Sequence, residues 1–327
     1  MKSVEQPPSV LRVAAAFGAV YAIWGSTYLG IRIAVEDFAP FVMASIRFLA
    51  AGAVLYIYLR LRGVPAPRWG QWRSATWVGF LLLSCSNGAV TWAEKTVPSG
   101  LTALLCAILP MWMVLLEWLG DRSRRPSVRV VLGVLLGIAG VAVLIGPGLS
   151  TQGASVDVFG AILIVMGSLT WALGSLASRK ADLPTSAPMS TAMQMLAGGT
   201  ILALAAALNG DWQQFHPAEV SAKAWLALAY LGIFGSLIAL SAYVWLLRVS
   251  TPARVSTYAY VNPVVAVILG WALLDEPMGP RTLVAALIIV TAVVVITTQR
   301  ARASSAGKPT PAPNPASDEL APTPIRR

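Results

Sequence analysis

Charge is scarce in this sequence. Only 12% of its 327 residues are Asp, Glu, Lys or Arg, about half the roughly 25% typical of soluble globular proteins. Hydrophobic residues make up 57% and the mean hydropathy is +0.70, which excludes an ordinary soluble enzyme. Histidine occurs once, at His216, so no HExxH zinc motif exists. The two cysteines, Cys85 and Cys106, lie in apolar runs with no CxxC. That excludes a disulfide framework and a structural zinc site, and both thiols read as small buried side chains. A glycine-rich phosphate loop ending in Gly-Lys-Ser/Thr is missing, which argues against ATP-driven transport. A Ser/His pair within an apolar run is missing too, which argues against an intramembrane serine hydrolase. The longest stretch outside the apolar runs is the 29-residue tail 299–327, too little for a receptor's sensory domain. The expectation is a non-enzyme with no cofactor and no metal.

Long apolar runs are what the chain has in abundance. A bilayer core about 30 Å thick needs about 20 apolar helical residues. Ten stretches qualify: 13–34, 39–59, 74–93, 97–119, 130–148, 158–178, 188–208, 224–247, 252–274 and 282–298. Lipid admits only helices or closed barrels, and runs of this length without two-residue alternation predict helices. The first run is too long for the apolar part of a signal peptide and has no clear cleavage box, so it reads as a retained span. The tail 299–327 interleaves six prolines (Pro309 to Pro324) with Ala, Thr, Ser and charges, which predicts disorder.

A formal net charge of +10 and a pI near 10.1 would ordinarily raise nucleic acid as a partner. The positions of the cations exclude it. With ten spans, nineteen of the 24 Lys and Arg fall on one side, only Lys95, Lys223 and Arg281 fall on the other, and Arg32 and Arg47 lie within spans. The positive-inside rule places both termini in the cytoplasm. One span more or fewer would scramble this split.

The halves also resemble each other. A shift of 147 places Trp24 on Trp171, Arg32 on Arg179, Arg47 on Gln194 and Gly52 on Gly199; a shift of 153–154 places Pro98 on Pro252 and Pro110 on Pro263. Five spans per half is an odd number, so the halves insert with opposite orientation. Inverted repeats put a substrate site between the halves near mid-bilayer. The division is a cytoplasmic N-terminus 1–12, a first repeat 13–148, a second repeat 158–298 and a disordered cytoplasmic tail 299–327.

Two sets of motifs carry a family resemblance. Ile23-Trp24-Gly25-Ser26-Thr27-Tyr28 is followed by Met43-Ala44-Ser45-Ile46-Arg47-Phe48-Leu49-Ala50-Ala51-Gly52. Asn87-Gly88, Ala93-Glu94, Val97-Pro98-Ser99-Gly100 and Tyr258-Ala259-Tyr260-Val261-Asn262-Pro263-Val264-Val265-Ala266 come later. Over about residues 10–298 the chain resembles the EamA family, a ten-span branch of the drug/metabolite transporter superfamily, and within it the YedA-type inner-membrane transporters. The resemblance implies an all-α polytopic inner-membrane protein of two inverted five-helix repeats. It also implies export or exchange of small metabolites. Lys95 and the glycine-poor helix Val284–Thr298, which contrasts with Gly133, Gly137 and Gly140, depart from the family pattern without threatening the fold.

Intramembrane polar residues are costly, so each is a functional candidate. Arg47 lies about 12 Å below the outer edge of the second span; it reads either as a ligand for a substrate carboxylate or as a tie to backbone carbonyls. Asn87 sits at a similar height. Asn262 precedes Pro263, whose kink, like that of Pro110, suits a cavity wall or simple packing. Trp24 and Trp171 lie near mid-depth and, with Tyr28, Tyr243, Tyr258 and Tyr260, suggest either an aromatic cavity or ordinary helix packing. Ser26 and Ser175 complete the expected substrate contacts. Trp92, Trp112, Trp118, Trp212 and Trp271 read as interface anchors. Arg32 and Glu36 are spaced for an i,i+4 ion pair. Glu117 lies near Arg122, and Glu94 is the candidate for proton or cation coupling. Gly133 to Gly137 is a GxxxG match that fits bundle packing or a homodimer. Together these features predict a secondary carrier for small amphipathic or aromatic solutes such as amino acids. An uncoupled facilitator or an exporter of cationic drugs is the alternative.

Overall fold

In lipid, every peptide group must find its hydrogen-bond partner inside the protein, and this chain answers with helices end to end. The computed structural model describes residues 9–120, 127–145, 157–250, 252–255, 257–276 and 279–306. Its helices are α1 (Val10–Ala34), α2 (Pro40–Leu61), α3 (69–93), α4 (Ser99–Gly120), α5 (Val128–Ile145), α6 (Val158–Ser178), α7 (Ala187–Leu208), α8 (Ala222–Val249), α9 (252–274) and α10 (Pro280–Ala306). Their starts follow local chemistry. The Ser9, Asp157, Ser186 and Ser221 side chains each accept a backbone N–H from the first turn of α1, α6, α7 and α8, as N-caps do. Pro40 opens α2, where its missing N–H costs nothing.

Three features differ from the sequence reading. The helix α9 is divided into Pro252–Val255 and Tyr258–Leu274. The helix α3 begins at Trp69, five residues before the apolar run, because the Gln71 side chain accepts the Arg68 N–H. The helix α10 runs on to Ala306, so residues 299–306 are helical where disorder was expected; Ala301, Ala303 and Ala306 favour helix and the first proline comes only at Pro309. Residues 307–327 and the Arg122, Arg124 and Arg125 loop lie outside the described residues.

The two five-helix repeats are inverted, and the packing obeys the pseudo-two-fold. Helix α2 packs on α7 and α5 on α10; α1 packs on α8 and α9 as α6 packs on α3 and α4. The shift of 147 is visible in the contacts. A Cβ on Gly52 would lie 3.0 Å from the Leu196 nitrogen, and one on Gly199 would lie 3.0 Å from the Leu49 nitrogen. Small residues thus bring the α2 and α7 backbones together. Gly137 and Gly140 face Ala292 and Ile289 of α10, so this glycine face serves packing within the chain. Outward faces remain apolar, with Leu132, Leu135, Ile162, Ile268 and Leu287 exposed, as lipid requires.

The tightest approach to a neighbouring backbone is at Gly79 of α3, where a Cβ would lie 2.6 Å from the Gln194 carbonyl oxygen. Gly79→Ala is expected to lower stability in detergent by about 1–3 kcal/mol, the usual range for overpacking. Gly18→Ala, with nothing within 4 Å of its new Cβ, is expected to be neutral or stabilising. Thermal unfolding of the two variants checks this; equal midpoints would contradict the α3–α7 geometry.

Candidate functional site

Where the helices leave regular α geometry, a cavity opens. In α3 the stretch Phe80–Asn87 is π-helical, and in α8 the stretch Leu231–Leu240 is too. Such wider turns frequently mark functional sites. In α4 the helix breaks at Ala107–Ile108, just before Pro110, which lacks the N–H that would bond the Cys106 carbonyl. In α9 Pro263 removes the corresponding bond to Ala259. Residues of all four irregular segments line a central cavity of about 90 Å³: Ser86 and Asn87, Gly235 and Leu240, Cys106 and Ala107, Ala259 and Pro263. Pro110 itself is buried behind the wall.

Arg47 of α2 lines this cavity and is only 5% exposed. Its Nε donates to Ser236 Oγ at 2.9 Å, and Ser236 Oγ donates to the Leu231 carbonyl five residues back, at 3.2 Å. The π-helical stretch therefore positions the hydroxyl that holds the guanidinium. Gly235 makes room, since a Cβ there would lie 2.9 Å from Arg47 Nη2. The guanidinium stands 4.9 Å over the Phe48 ring. Its Nη1 has no hydrogen-bond partner among the described residues. The matching residue of the other half, Gln194, donates to Ser190 Oγ within its own helix and does not line the cavity.

The opposite side is aromatic. Trp24 and Trp171 meet edge to face at 5.4 Å, so the two repeat-related indoles touch across the pseudo-axis. Tyr243 and Tyr258 pack on Trp24 at 4.9 and 5.2 Å. Trp24 Nε1 donates to the Gly235 carbonyl and Trp171 Nε1 to the Tyr243 hydroxyl. Trp24, Tyr28, Trp171 and Tyr258 face the cavity. Tyr243 and Ser175 stand behind them, bonded to each other at 2.7 Å. Asn262 lines the cavity, and its amide nitrogen donates to the Tyr258 and Tyr21 carbonyls at 3.2 Å each. Asn87 also lines it and accepts from Thr91.

Seven of the ten expected contact residues thus surround one space: Trp24, Tyr28, Arg47, Asn87, Trp171, Tyr258 and Asn262. Ser26 does not; its hydroxyl is paired with Tyr230 and the Ala22 and Ile23 carbonyls. Ser175 and Tyr243 support the wall. The side chain of Tyr260 lies outside the described residues. Ser86 and Ser168 line the cavity without having stood out in sequence. Trp112 is a correction: its indole donates to Ser168 Oγ at 2.9 Å, so it braces the cavity instead of anchoring the interface.

At the outer ends, polar ties cross between the repeats. The chain leaves α9 through Asp275 in the left-handed region (φ 52°), with the Glu276 N–H bonding the Gly270 carbonyl, as in a Schellman turn. This aims Glu276 at the N-terminus of α4, where its carboxylate accepts from the Ser99 and Gly100 nitrogens at 2.7 and 3.1 Å. A carboxylate at the C-terminal end of its own helix is unfavourably placed, so a partner on another element stabilises it. Thr96 donates to Asp157 at 2.6 Å and the Ser221 N–H to Asp37 at 2.9 Å. These bonds hold both aspartate carboxyls below their ordinary range, so the ties persist at neutral pH and weaken only as pH falls through that lowered range. The expected Arg32–Glu36 pair does not form. Arg32 donates to the Glu94 and Lys95 carbonyls, favourable for a cation at a helix C-terminus, and Glu36 pairs with Lys223 at 3.5 Å. Glu94 is fully buried and not on the cavity surface.

The model of the EamA-like transporter family matches residues 12–146 and 158–298. The chain is 41% identical over 281 residues to the "Uncharacterized inner membrane transporter YedA" of Escherichia coli (strain K12), covering 85% of this chain and 88% of that protein. It is 25% identical over 284 residues to the "Uncharacterized transporter YvbV" of Bacillus subtilis (strain 168), covering 85% and 88%. Protein PecM of Dickeya dadantii (strain 3937) matches at 26% over 276 residues, covering 84% and 88%. A solved structure described as "Crystal structure of protein" superposes with a TM-score of 0.64 at 23% identity, covering 90% of this chain and 99% of that one, which shows a shared fold. Two matched repeats on two inverted five-helix units make this a multi-pass inner-membrane protein that belongs to the EamA-like transporter family.

Proposed function

We propose that the protein is a secondary carrier that exports small amphipathic solutes bearing a carboxylate and an apolar or aromatic body, the class that includes amino acids. The observation that carries this reading is Arg47, a buried guanidinium facing the cavity with Nη1 unpartnered among the described residues. A substrate carboxylate would supply charge-assisted hydrogen bonds there, while Trp24, Trp171 and Tyr258 receive the apolar body and Asn87 and Asn262 offer amides. The same cation weighs against an exporter of cationic drugs. A volume near 90 Å³ is below the roughly 300 Å³ of ordinary ligand sites. The cavity must therefore enlarge to take a solute, which favours alternating access over a standing pore. Rocking of the repeats around the midplane site would alternately break the outer ties of Glu276, Asp157, Asp37 and Glu36 and the inner Arg68–Asp182 pair at 3.6 Å.

Proteoliposome counterflow with a panel of amino acids, sugars and aromatic cations tests the substrate class. Arg47→Gln is expected to weaken apparent affinity for an amino acid by about 10–100-fold, as loss of a charged hydrogen bond worth 1.5–3 kcal/mol implies, and to spare the corresponding amino-acid amide. Equal loss for acid and amide, or no saturable flux at all, would sink the assignment.

Cys106 reports on the outer ties because it lines the cavity. In a Cys85→Ser background, Glu276→Gln is expected to raise labelling of Cys106 by an impermeant maleimide added from the periplasmic side. Gly270→Ala, whose Cβ would stand 2.3 Å from Glu276 Oε2, is expected to do the same. Unchanged labelling in both variants would show that Glu276 does not hold the outer side shut.

A further inference from the structure

One buried acid is left unexplained by this cavity. Glu94 follows the last turn of α3, is 0% exposed, and neither of its carboxyl oxygens has a hydrogen-bond partner among the described residues. The hydroxyls of Ser99 and Thr102 on α4 are likewise buried without a partner among the described residues. An ionised carboxylate without hydrogen bonds in apolar surroundings is a costly state that a bound proton relieves. No cluster of three or more His, Cys, Asp or Glu able to hold a metal ion exists among the described residues, so a proton fits this place better than a metal. The surroundings reach the cavity. Tyr28 and Cys106 line the cavity, and both lie within electrostatic range of Glu94. The titratable and charged groups facing it are Tyr28 and Arg32 of α1, Arg47 of α2, Cys106 of α4 and Glu276 after α9, with Lys95 adjacent in the chain.

We propose that Glu94 is a proton site linked to Arg47, protonated when an anionic group occupies the cavity, so that proton and solute cross together. The inference rests on the carrier reading above. Its logic is linkage. An ionised Glu94 partly satisfies the Arg47 charge and repels an incoming carboxylate. A neutral Glu94 leaves the Arg47 field to the solute. Solute binding at Arg47 in turn favours the protonated acid by the same factor. The step is a simple proton exchange: the carboxyl O–H breaks, the proton passes to water at whichever side is open, and the carboxylate remains. Net efflux is then driven by accumulated solute, and acid outside opposes it.

Phenylalanine and glutamine are suitable probes in proteoliposomes with the membrane potential clamped by potassium and valinomycin. For a probe that shows counterflow, an acid-outside gradient of one pH unit is expected to drive up to about tenfold accumulation, one proton per solute being worth a factor of ten per unit. Glu94→Gln is expected to keep counterflow, to lose accumulation entirely, and to bind with an affinity independent of pH. Glu94→Asp is expected to restore coupling. A second readout needs no flux: infrared difference spectra at neutral pH should show a protonated-carboxyl band that grows when phenylalanine or glutamine binds and that Glu94→Gln removes. If neither probe shows counterflow, the carrier reading fails and this proposal with it. Counterflow without accumulation, accumulation retained in Glu94→Gln, accumulation driven by acid inside, or no Glu94-dependent infrared band overturns the proton site alone. Should Glu94→Gln fail to fold, the direction of accumulation in the wild type and the restored coupling of Glu94→Asp decide.

Discussion

Backbone hydrogen bonding in a medium without water is the constraint from which this structure follows. It forces ten helices, and it makes every departure from α geometry expensive unless protein surrounds it. The departures here are few and placed together. Two π-helical stretches, in α3 and α8, and two turns that lose a hydrogen bond to proline, before Pro110 in α4 and before Pro263 in α9, are repeat-related pairs, and all four border the same central space. The cavity exists because backbone irregularity is tolerated only there, where facing helices satisfy what the irregular turns leave open. Ser236 illustrates this: its hydroxyl bonds a carbonyl five residues back and holds Arg47 at the same time.

Symmetry builds the site and asymmetry gives it chemistry. The paired indoles of Trp24 and Trp171 meet on the pseudo-axis, and reciprocal glycines bring α2 and α7 into backbone contact. A perfectly duplicated site would hold two cations facing each other across a small apolar space, a costly arrangement. Instead Arg47 is matched by the neutral Gln194, which turns back to Ser190 in its own helix. Arg47 therefore faces no matching cation from the other half, and the cavity acquires a polar end and an aromatic end.

Much of this was legible in the sequence because hydrophobic length and charge placement are strong signals in a membrane protein. The ten spans and the inverted repeat follow from run lengths, cation positions and the Trp24/Trp171 register, and seven residues singled out in sequence border the cavity. What was hidden depended on three-dimensional reach. No local pattern distinguishes Phe80–Asn87 or Leu231–Leu240 as π-helical. Ser26 and Ser175 resemble Ser86 and Ser168 in sequence, yet helix rotation turns the first pair to neighbouring hydroxyls and the second pair to the cavity. Arg32 sits at ideal spacing from Glu36, but the carbonyls ending α3 offer more than an exposed carboxylate does. Glu276 is out of reach of any local pattern because its partner, the start of α4, lies 177 and 176 residues earlier.

The glycine contact between α2 and α7 has a mechanical meaning. Backbones this close can pivot but have no slack to slide, so in the proposed rocking motion the crossing near Gly52 and Gly199 would act as a fulcrum. Gly52 lies twelve residues from the outer start of α2 and nine from its inner end, about 18 Å and 14 Å at 1.5 Å per residue. In the proposed carrier a given tilt would displace the outer end further than the inner one, so the same angular step would open a wider mouth to the outside than to the cytoplasm.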